Sequence, residues 1–167
     1  DHEAIHRMGI MAVPGGRLLE LDGLHPGGRV RKLAPERPGS FWRPDLSFDA
    51  KRVLFCYKAH DEKSFHVYEI QADGTGLRRI TSGDYDDADP MYLPDGHILF
   101  LTTRGNTYVR CGPFIYSNIL ARCDPDGGNL YLVSCGNEPE WTPALLEDGR
   151  VIYSRWEYTD KPLWRVQ

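Results

Sequence analysis

The chain has 167 residues, 41% hydrophobic and 26% charged, which suits a globular fold with a buried core and excludes general disorder. Its net charge of −4, with no basic patch, argues against a nucleic-acid phosphate partner. No apolar run approaches the roughly 18 residues needed to span a bilayer.

In chain order, residues 1–8 are compatible with one turn of helix, inside an N-terminal segment 1–16. The first residue is Asp1 rather than Met, so the reading is a leader removed or a piece of a longer protein. Strands follow in a repeating order, here lettered a to d. The first unit (17–34) holds only c (17–21) and d (29–33). The second (44–81) has a at 44–48, b at 52–57, c at 65–71 and d at 77–80. The third (89–134) has a at 89–93, b at 97–102, c at 117–123 and d at 129–133. The fourth (139–167) has a at 139–145, b at 150–155 and the start of c at 163–167.

Turn chemistry supports this parsing. Asp49, Asp95 and Asp148 take the same a–b turn position, 46 and 53 residues apart. An Asp there bonds the backbone two residues on, and a following Gly, such as Gly96, accepts positive φ without a Cβ penalty. Asp73-Gly74 and Asp126-Gly127 serve the c–d turns. Tandem four-stranded antiparallel units of about 45 residues predict an all-β fold of β-propeller blades, about three of them. A blade needs neighbours to cover both faces, and closed rings usually have four to eight. The expectation is a segment of a larger propeller, or an open array that pairs with another copy through its exposed edges.

The four cysteines, Cys56, Cys111, Cys123 and Cys135, include no CxxC or CxxCH spacing, which disfavours a zinc ribbon or attached haem. Their count leaves both free thiols and one disulfide open.

Pro90-x-Tyr92-x-Pro94-Asp95-Gly96 resembles the repeat motif of TolB-type, PD40 (WD40-like) propellers. Pro44–Asp49 resembles it with Phe48 for Pro and Ala50 for Gly, and Pro139–Gly149 more loosely, with an extra residue. The phrases PDLSFDAKRVLF, GDYDDADPMYLPDGHILFLTTR and DGRVIYSRWEY are similar to proteins related to the alpha subunit of hydrazine synthase. The resemblance implies a periplasmic or secreted protein and a non-catalytic scaffold for a protein or small ligand. The alternative it implies is the propeller domain of a larger redox enzyme whose haem or catalytic residues lie outside this chain.

The d–a and b–c connections open on one face and are the longer ones, so a site is expected there or at the channel mouth. Arg104 and Arg110, in the longest b–c loop, offer a clamp for an anion or carboxylate; the plainer reading ties Arg104 to the acidic loop next door. Arg155, Trp156, Glu157 and Tyr158 offer an interface anchor, or Trp156 simply packs between blades. Asp84, Asp86 and Asp87 offer oxygens to Ca²⁺, though without EF-hand spacing; the plainer reading has Asp87 or Asp89 bonding backbone amides. His60, Asp61 and His66 form an incomplete metal set, more readily structural. No nucleophile elbow, HExxH, phosphate loop or dinucleotide motif is present.

Overall fold

The computed structural model describes residues 15–34, 37–110 and 114–157. Among these there are twelve strands and no helix. The expected helical turn at 1–8, the strand starting at 163–167, Cys111 and Tyr158 lie outside the described residues.

β1 (Leu18–Asp22) and β2 (Arg29–Ala34) form a two-stranded sheet, blade 1. β3 (Gly39–Leu46), β4 (Arg52–Ala59), β5 (His66–Gln71) and β6 (Arg78–Arg79) pair in that order as blade 2. β7 (Asp87–Tyr92), β8 (Ile98–Thr102), β9 (Ile119–Cys123) and β10 (Tyr131–Leu132) form blade 3 in the same way. β11 (Glu140–Leu145) and β12 (Val151–Arg155) form blade 4. Every pairing is antiparallel.

Alternation within each strand sends side chains to two faces, and each core lies between successive blades. Leu18 and Ala34 of blade 1 pack on Val53, Phe55 and Ile70 of blade 2. Leu54, Val67 and Ile80 of blade 2 pack on Ile98, Phe100, Ala121 and Cys123 of blade 3. Leu99, Leu101 and Leu120 of blade 3 meet Leu145 and Val151 of blade 4. Burial pushes the Cys123 thiol up to about 12 and raises the Cys56 thiol well above its ordinary value, so both behave as small apolar groups.

The first strands of blades 2, 3 and 4 carry the same irregularity. Register slips between Trp42 and Asp45, between Ala88 and Met91, and between Trp141 and Ala144, with two residues facing one on the partner strand. At each slip a non-glycine residue takes left-handed φ, namely Arg43 (49°), Asp89 (46°) and Thr142 (48°), and a proline follows. These are β-bulges; they bend the strand, and proline suits them because its missing N–H would have no ladder partner there. The alignment of the last unit therefore turns on Pro143, five residues before Asp148 as Pro44 is before Asp49, not on Pro139. No extra residue is needed. The bulge also explains why β3 begins at Gly39 rather than 44: Gly39–Trp42 pair with Cys56–Ala59, on the far side of the break.

The turns follow their chemistry. Asp95 Oδ1 accepts from His97 N at 3.1 Å and Asp148 Oδ1 from Arg150 N at 3.1 Å. Asp73 Oδ1 accepts from Thr75 N and Asp126 Oδ1 from Gly128 N, both at 2.8 Å. Gly127 is fixed by a neighbour as well as by its φ of 87°: a Cβ there would stand 2.1 Å from the Ile80 carbonyl oxygen of blade 2.

Candidate functional site

Polar residues join the blades at regular separation. Trp42 Nε1 donates to Asp89 Oδ1 (3.0 Å), Tyr92 N donates to Asp45 Oδ2 (2.9 Å), and Arg78 Nη2 donates to the Pro125 carbonyl (3.0 Å), each spanning 47 residues. Thr142 N donates to Asp89 Oδ2 at 3.1 Å, so one carboxylate reaches both flanking blades. Buried Glu69 takes Arg78 from its own blade and the Tyr92 hydroxyl (2.8 Å) from the next. Burial and the neighbouring Glu69 carboxylate raise the Tyr92 phenol, keeping it a donor.

The bulged first strands converge where the propeller axis runs. Between them lies an open cleft of about 490 Å³, lined by Arg43–Leu46 and Phe48 of blade 2, Asp89–Tyr92 of blade 3 and Pro143–Leu145 of blade 4. Arg43 Nε stands 3.5 Å from Asp89 Oδ1 at its wall. Burial raises the Asp45 carboxyl, against the opposing pull of the Tyr92 amide.

On the long-loop face, carboxylates anchor the strand ends. Asp87 is fully buried, and its Oδ1 accepts from Thr102 Oγ1 (2.8 Å) and from Arg104 Nη1. Arg104 also donates to the Ser82 carbonyl (2.7 Å) and lies over the Tyr85 ring. In blade 4, buried Glu140 accepts from Leu120 N (2.9 Å), Ser134 Oγ and Arg155 Nη1 (3.3 Å). Beside Asp87, His66 Nδ1 faces Asp87 Oδ2 at 3.7 Å, and neither atom has a hydrogen-bond partner.

The loop after β8 folds into a small hairpin. Ser117 N donates to the Thr107 carbonyl (2.8 Å) and Val109 N to the Ile115 carbonyl (3.0 Å). Tyr108 and Tyr116 stack with centroids 4.7 Å apart, and Phe114, 86% exposed, stands edge-on to Tyr108. Two contacts clamp this hairpin to the following d–a loop: Thr107 Oγ1 donates to the Gly136 carbonyl (2.8 Å), and Arg110 Nε pairs with Glu138 (3.0 Å).

The residues singled out from sequence are thus placed as follows. Arg104 is committed to Asp87 within its own blade, not across a blade boundary, and Arg110 to Glu138; the two guanidiniums form no shared clamp. Arg155 joins Glu140 and approaches Glu157 (3.8 Å), while Trp156 is half-buried, its N donating to the Pro139 carbonyl. Asp84 is exposed, and Asp86 accepts from Phe65 N (2.8 Å). With Asp87 already held, these three do not fit the six to eight oxygens that Ca²⁺ takes, and among the described residues no three His, Cys, Asp or Glu could hold a metal ion. Asp61 pairs with Arg37, apart from His66. Sequence reading missed Trp42, Asp45 and Glu69, and the aromatic trio, whereas Asp89 accepts from a backbone amide, that of Thr142, as one of its two expectations had it. The signal for Trp42 and Asp45 was the repeat length itself, since their partners lie 47 residues on.

Tandem four-stranded antiparallel blades with cores between them define the chain as part of a β-propeller. Its fold is that of the TolB-type propellers. A TolB-type protein from Agrobacterium tumefaciens superposes with a TM-score of 0.63 at 22% identity, over 78% of this chain and 43% of that one. Kuenenia stuttgartiensis hydrazine synthase gives 0.66 at 16% identity, over 75% of this chain and 22% of that one. TolB from Acinetobacter baumannii gives 0.52 at 16% identity, over 77% and 35%. The chain spans less than half the length of these structures. No protein-family model matches it.

Proposed function

We propose that this chain is a non-catalytic binding scaffold whose long-loop face presents the Tyr108–Tyr116 hairpin to a protein or small ligand. The observation that carries this reading is three solvent-facing aromatics beside two backbone hydrogen bonds, Ser117 to Thr107 and Val109 to Ile115, and the Thr107 and Arg110 contacts. Aromatics fixed in this way offer large contact area at little entropic cost. Resemblance to TolB-type propellers supports an extracytoplasmic location. No helix among the described residues is long and apolar enough to cross a membrane.

The test is site-specific photocrosslinking in the native host, with a benzoylphenylalanine at position 114 or, on the opposite face, at position 97. Adducts at 114 and none at 97 are expected. Adducts at 97 alone, or at neither, would overturn the reading. The likeness to hydrazine synthase favours a second reading, a propeller domain of a larger redox enzyme. A Soret band in the spectrum of the native full-length product would select it.

A further inference from the structure

In the a–b turns of blades 2, 3 and 4, the residue two places after the turn Asp is basic. Lys51 follows Asp49, His97 follows Asp95 and Arg150 follows Asp148. Each turn Asp accepts the backbone N–H of that residue, at 3.2, 3.1 and 3.1 Å. In blade 4 the side chain pairs as well, Arg150 Nε donating to Asp148 Oδ2 at 2.7 Å. In blade 2 the bonds from Ser47 Oγ and Lys51 N, and then the Arg52 and Lys51 charges, hold the Asp49 carboxyl below its ordinary value. Lysine and arginine keep their charge at neutral pH, whereas histidine is charged only when both ring nitrogens carry protons.

His97 stands between two carboxylates. Its Nδ1 lies 3.1 Å from Asp95 Oδ1 in the a–b turn, and its Nε2 lies 3.2 Å from Asp124 Oδ1, where β9 enters the c–d turn. The ladder puts it there: Ile98 is opposite Cys123, so the next pair outward is His97 and Asp124. A neutral imidazole has one N–H and one lone pair. It can offer a proton to one of these carboxylates only by turning its lone pair on the other. Imidazolium, a donor at both nitrogens, suits both. Nδ1 is shut off from solvent and has no hydrogen-bond partner, and Asp95 Oδ1 already accepts the His97 N–H. The other polar groups around the ring are engaged elsewhere. Arg122 Nη2 donates to Asp95 Oδ2 and Asn129 Nδ2 to Asp124 Oδ2, both at 2.6 Å. Arg78 of blade 2 reaches the Pro125 carbonyl, and Asp126 accepts from Gly128 N. These contacts leave both Oδ1 atoms facing the ring.

We propose that His97 is a proton-operated clamp within blade 3: doubly protonated it ties the a–b turn to the c–d turn, and on losing a proton it lets one of them go. This rests on blade 3 alone and not on the scaffold reading. The sign of its pH dependence follows from linkage. A ring that meets two carboxylates when charged binds its proton more tightly in the folded chain than in the unfolded one, so the clamp stabilises at low pH and is lost as pH rises. The carboxylate side outlasts mild acid. Desolvation pushes the Asp95 carboxyl up, but the His97 N–H, the His97 ring and Arg122 outweigh it and hold the group below the ordinary 3.8. The clamp therefore acts between protonation of its carboxylates and deprotonation of its ring. The turns of blades 2 and 4, with Lys51 and Arg150, have no such upper limit near neutrality.

Urea denaturation of the full chain at pH 5.5 and pH 8.5 tests the proposal, with His97→Gln, His97→Arg and Asp124→Asn beside the unchanged chain. At pH 5.5 the unfolding constant of His97→Gln should exceed that of the unchanged chain by about threefold, the scale of partly exposed ion pairs. That gap should close by pH 8.5. His97→Arg supplies a fixed cation, as blade 4 does at position 150, so its advantage over the unchanged chain should grow as pH rises. Asp124→Asn leaves the ring one carboxylate and should shrink the pH-dependent part of the gap. Each comparison is made at one pH, so the remaining carboxyls cancel. A gap between His97→Gln and the unchanged chain that is constant with pH, or that widens as pH rises, would overturn the proposal. Should His97→Gln fail to fold, the nitrogen-15 signals of the His97 ring in the unchanged chain decide. They should keep the imidazolium signature to higher pH in the folded chain than in the chain unfolded by urea; loss at the same or a lower pH would overturn the clamp.

Discussion

Blades 2 and 3 solve the same problem with opposite chemistry. At the long-loop end, three residues before the bulge proline, blade 2 pairs Phe41 with Tyr57, and blade 3 pairs Asp87 with Thr102. The rings of Phe41 and Tyr57 lie 4.8 Å apart. In blade 3 the position holds a buried carboxylate and its arginine, faced by His66 of blade 2, whose Nδ1 has no hydrogen-bond partner. Blade 4 has Glu140 opposite Arg155. The backbone is the same in all three, so the bulge and its proline place the strand, and the side chains only have to fill or satisfy the position. Filling is tolerant. Satisfying is not, because one lost partner strands a buried charge.

The largest expected effect breaks the ionic anchor. Asp87→Ala leaves Arg104, only 15% exposed, without its carboxylate and should cost about 3–5 kcal/mol in urea denaturation. A loss below about 1 kcal/mol would erase the distinction between the blades. Phe41→Ala, a partly buried ring, should cost about 2–3 kcal/mol, less than a fully buried Phe. Asp89→Ala removes the acceptor for Trp42 Nε1 and Thr142 N and should cost about 2 kcal/mol, for two net hydrogen bonds. Ala50 takes a left-handed φ of 55° where the equivalent Gly96 and Gly149 take 87°, so Ala50→Gly should stabilise by about 0.5–1 kcal/mol, read as a rise in Tm.

The smallest effects are in pH dependence, and they have opposite signs. Burial holds the Asp86 carboxyl above the ordinary 3.8, so the folded state binds its proton more tightly. Its contribution to stability falls as pH rises from about 3.8 through the folded value. Donation from Ser47 Oγ and Lys51 N holds the Asp49 carboxyl below 3.8. Its contribution is present above 3.8 and lost as pH falls through the folded value. Relative to the unchanged chain, Asp86→Asn should therefore gain with rising pH and Asp49→Asn should lose, in melts between pH 3 and 7. Parallel profiles would contradict both assignments.

Much of the fold was legible because its punctuation is local. Asp95-Gly96 and Asp126-Gly127 announce their turns in two residues, and Ile98–Thr102 is apolar enough to be read as buried. What was not legible required a second strand. The bulge at Arg43 breaks alternation, so Gly39–Trp42 read as loop, and Pro139 was taken for the repeat proline in place of Pro143. β6 and β10 are only two residues each, shorter than the runs 77–80 and 129–133 that their sequences suggest. Arg104 advertised a partner but not which carboxylate, since Asp84, Asp86 and Asp87 are adjacent and only burial separates them. The exposed aromatic hairpin left no trace, because Tyr108 and Tyr116 stack only once the loop closes.

Each apolar cluster is shared between neighbouring blades, and none belongs to a single blade. The molecule therefore has no hub whose loss collapses everything at once. Stability passes along it like a row of leaning books, with the middle pair propped on both sides.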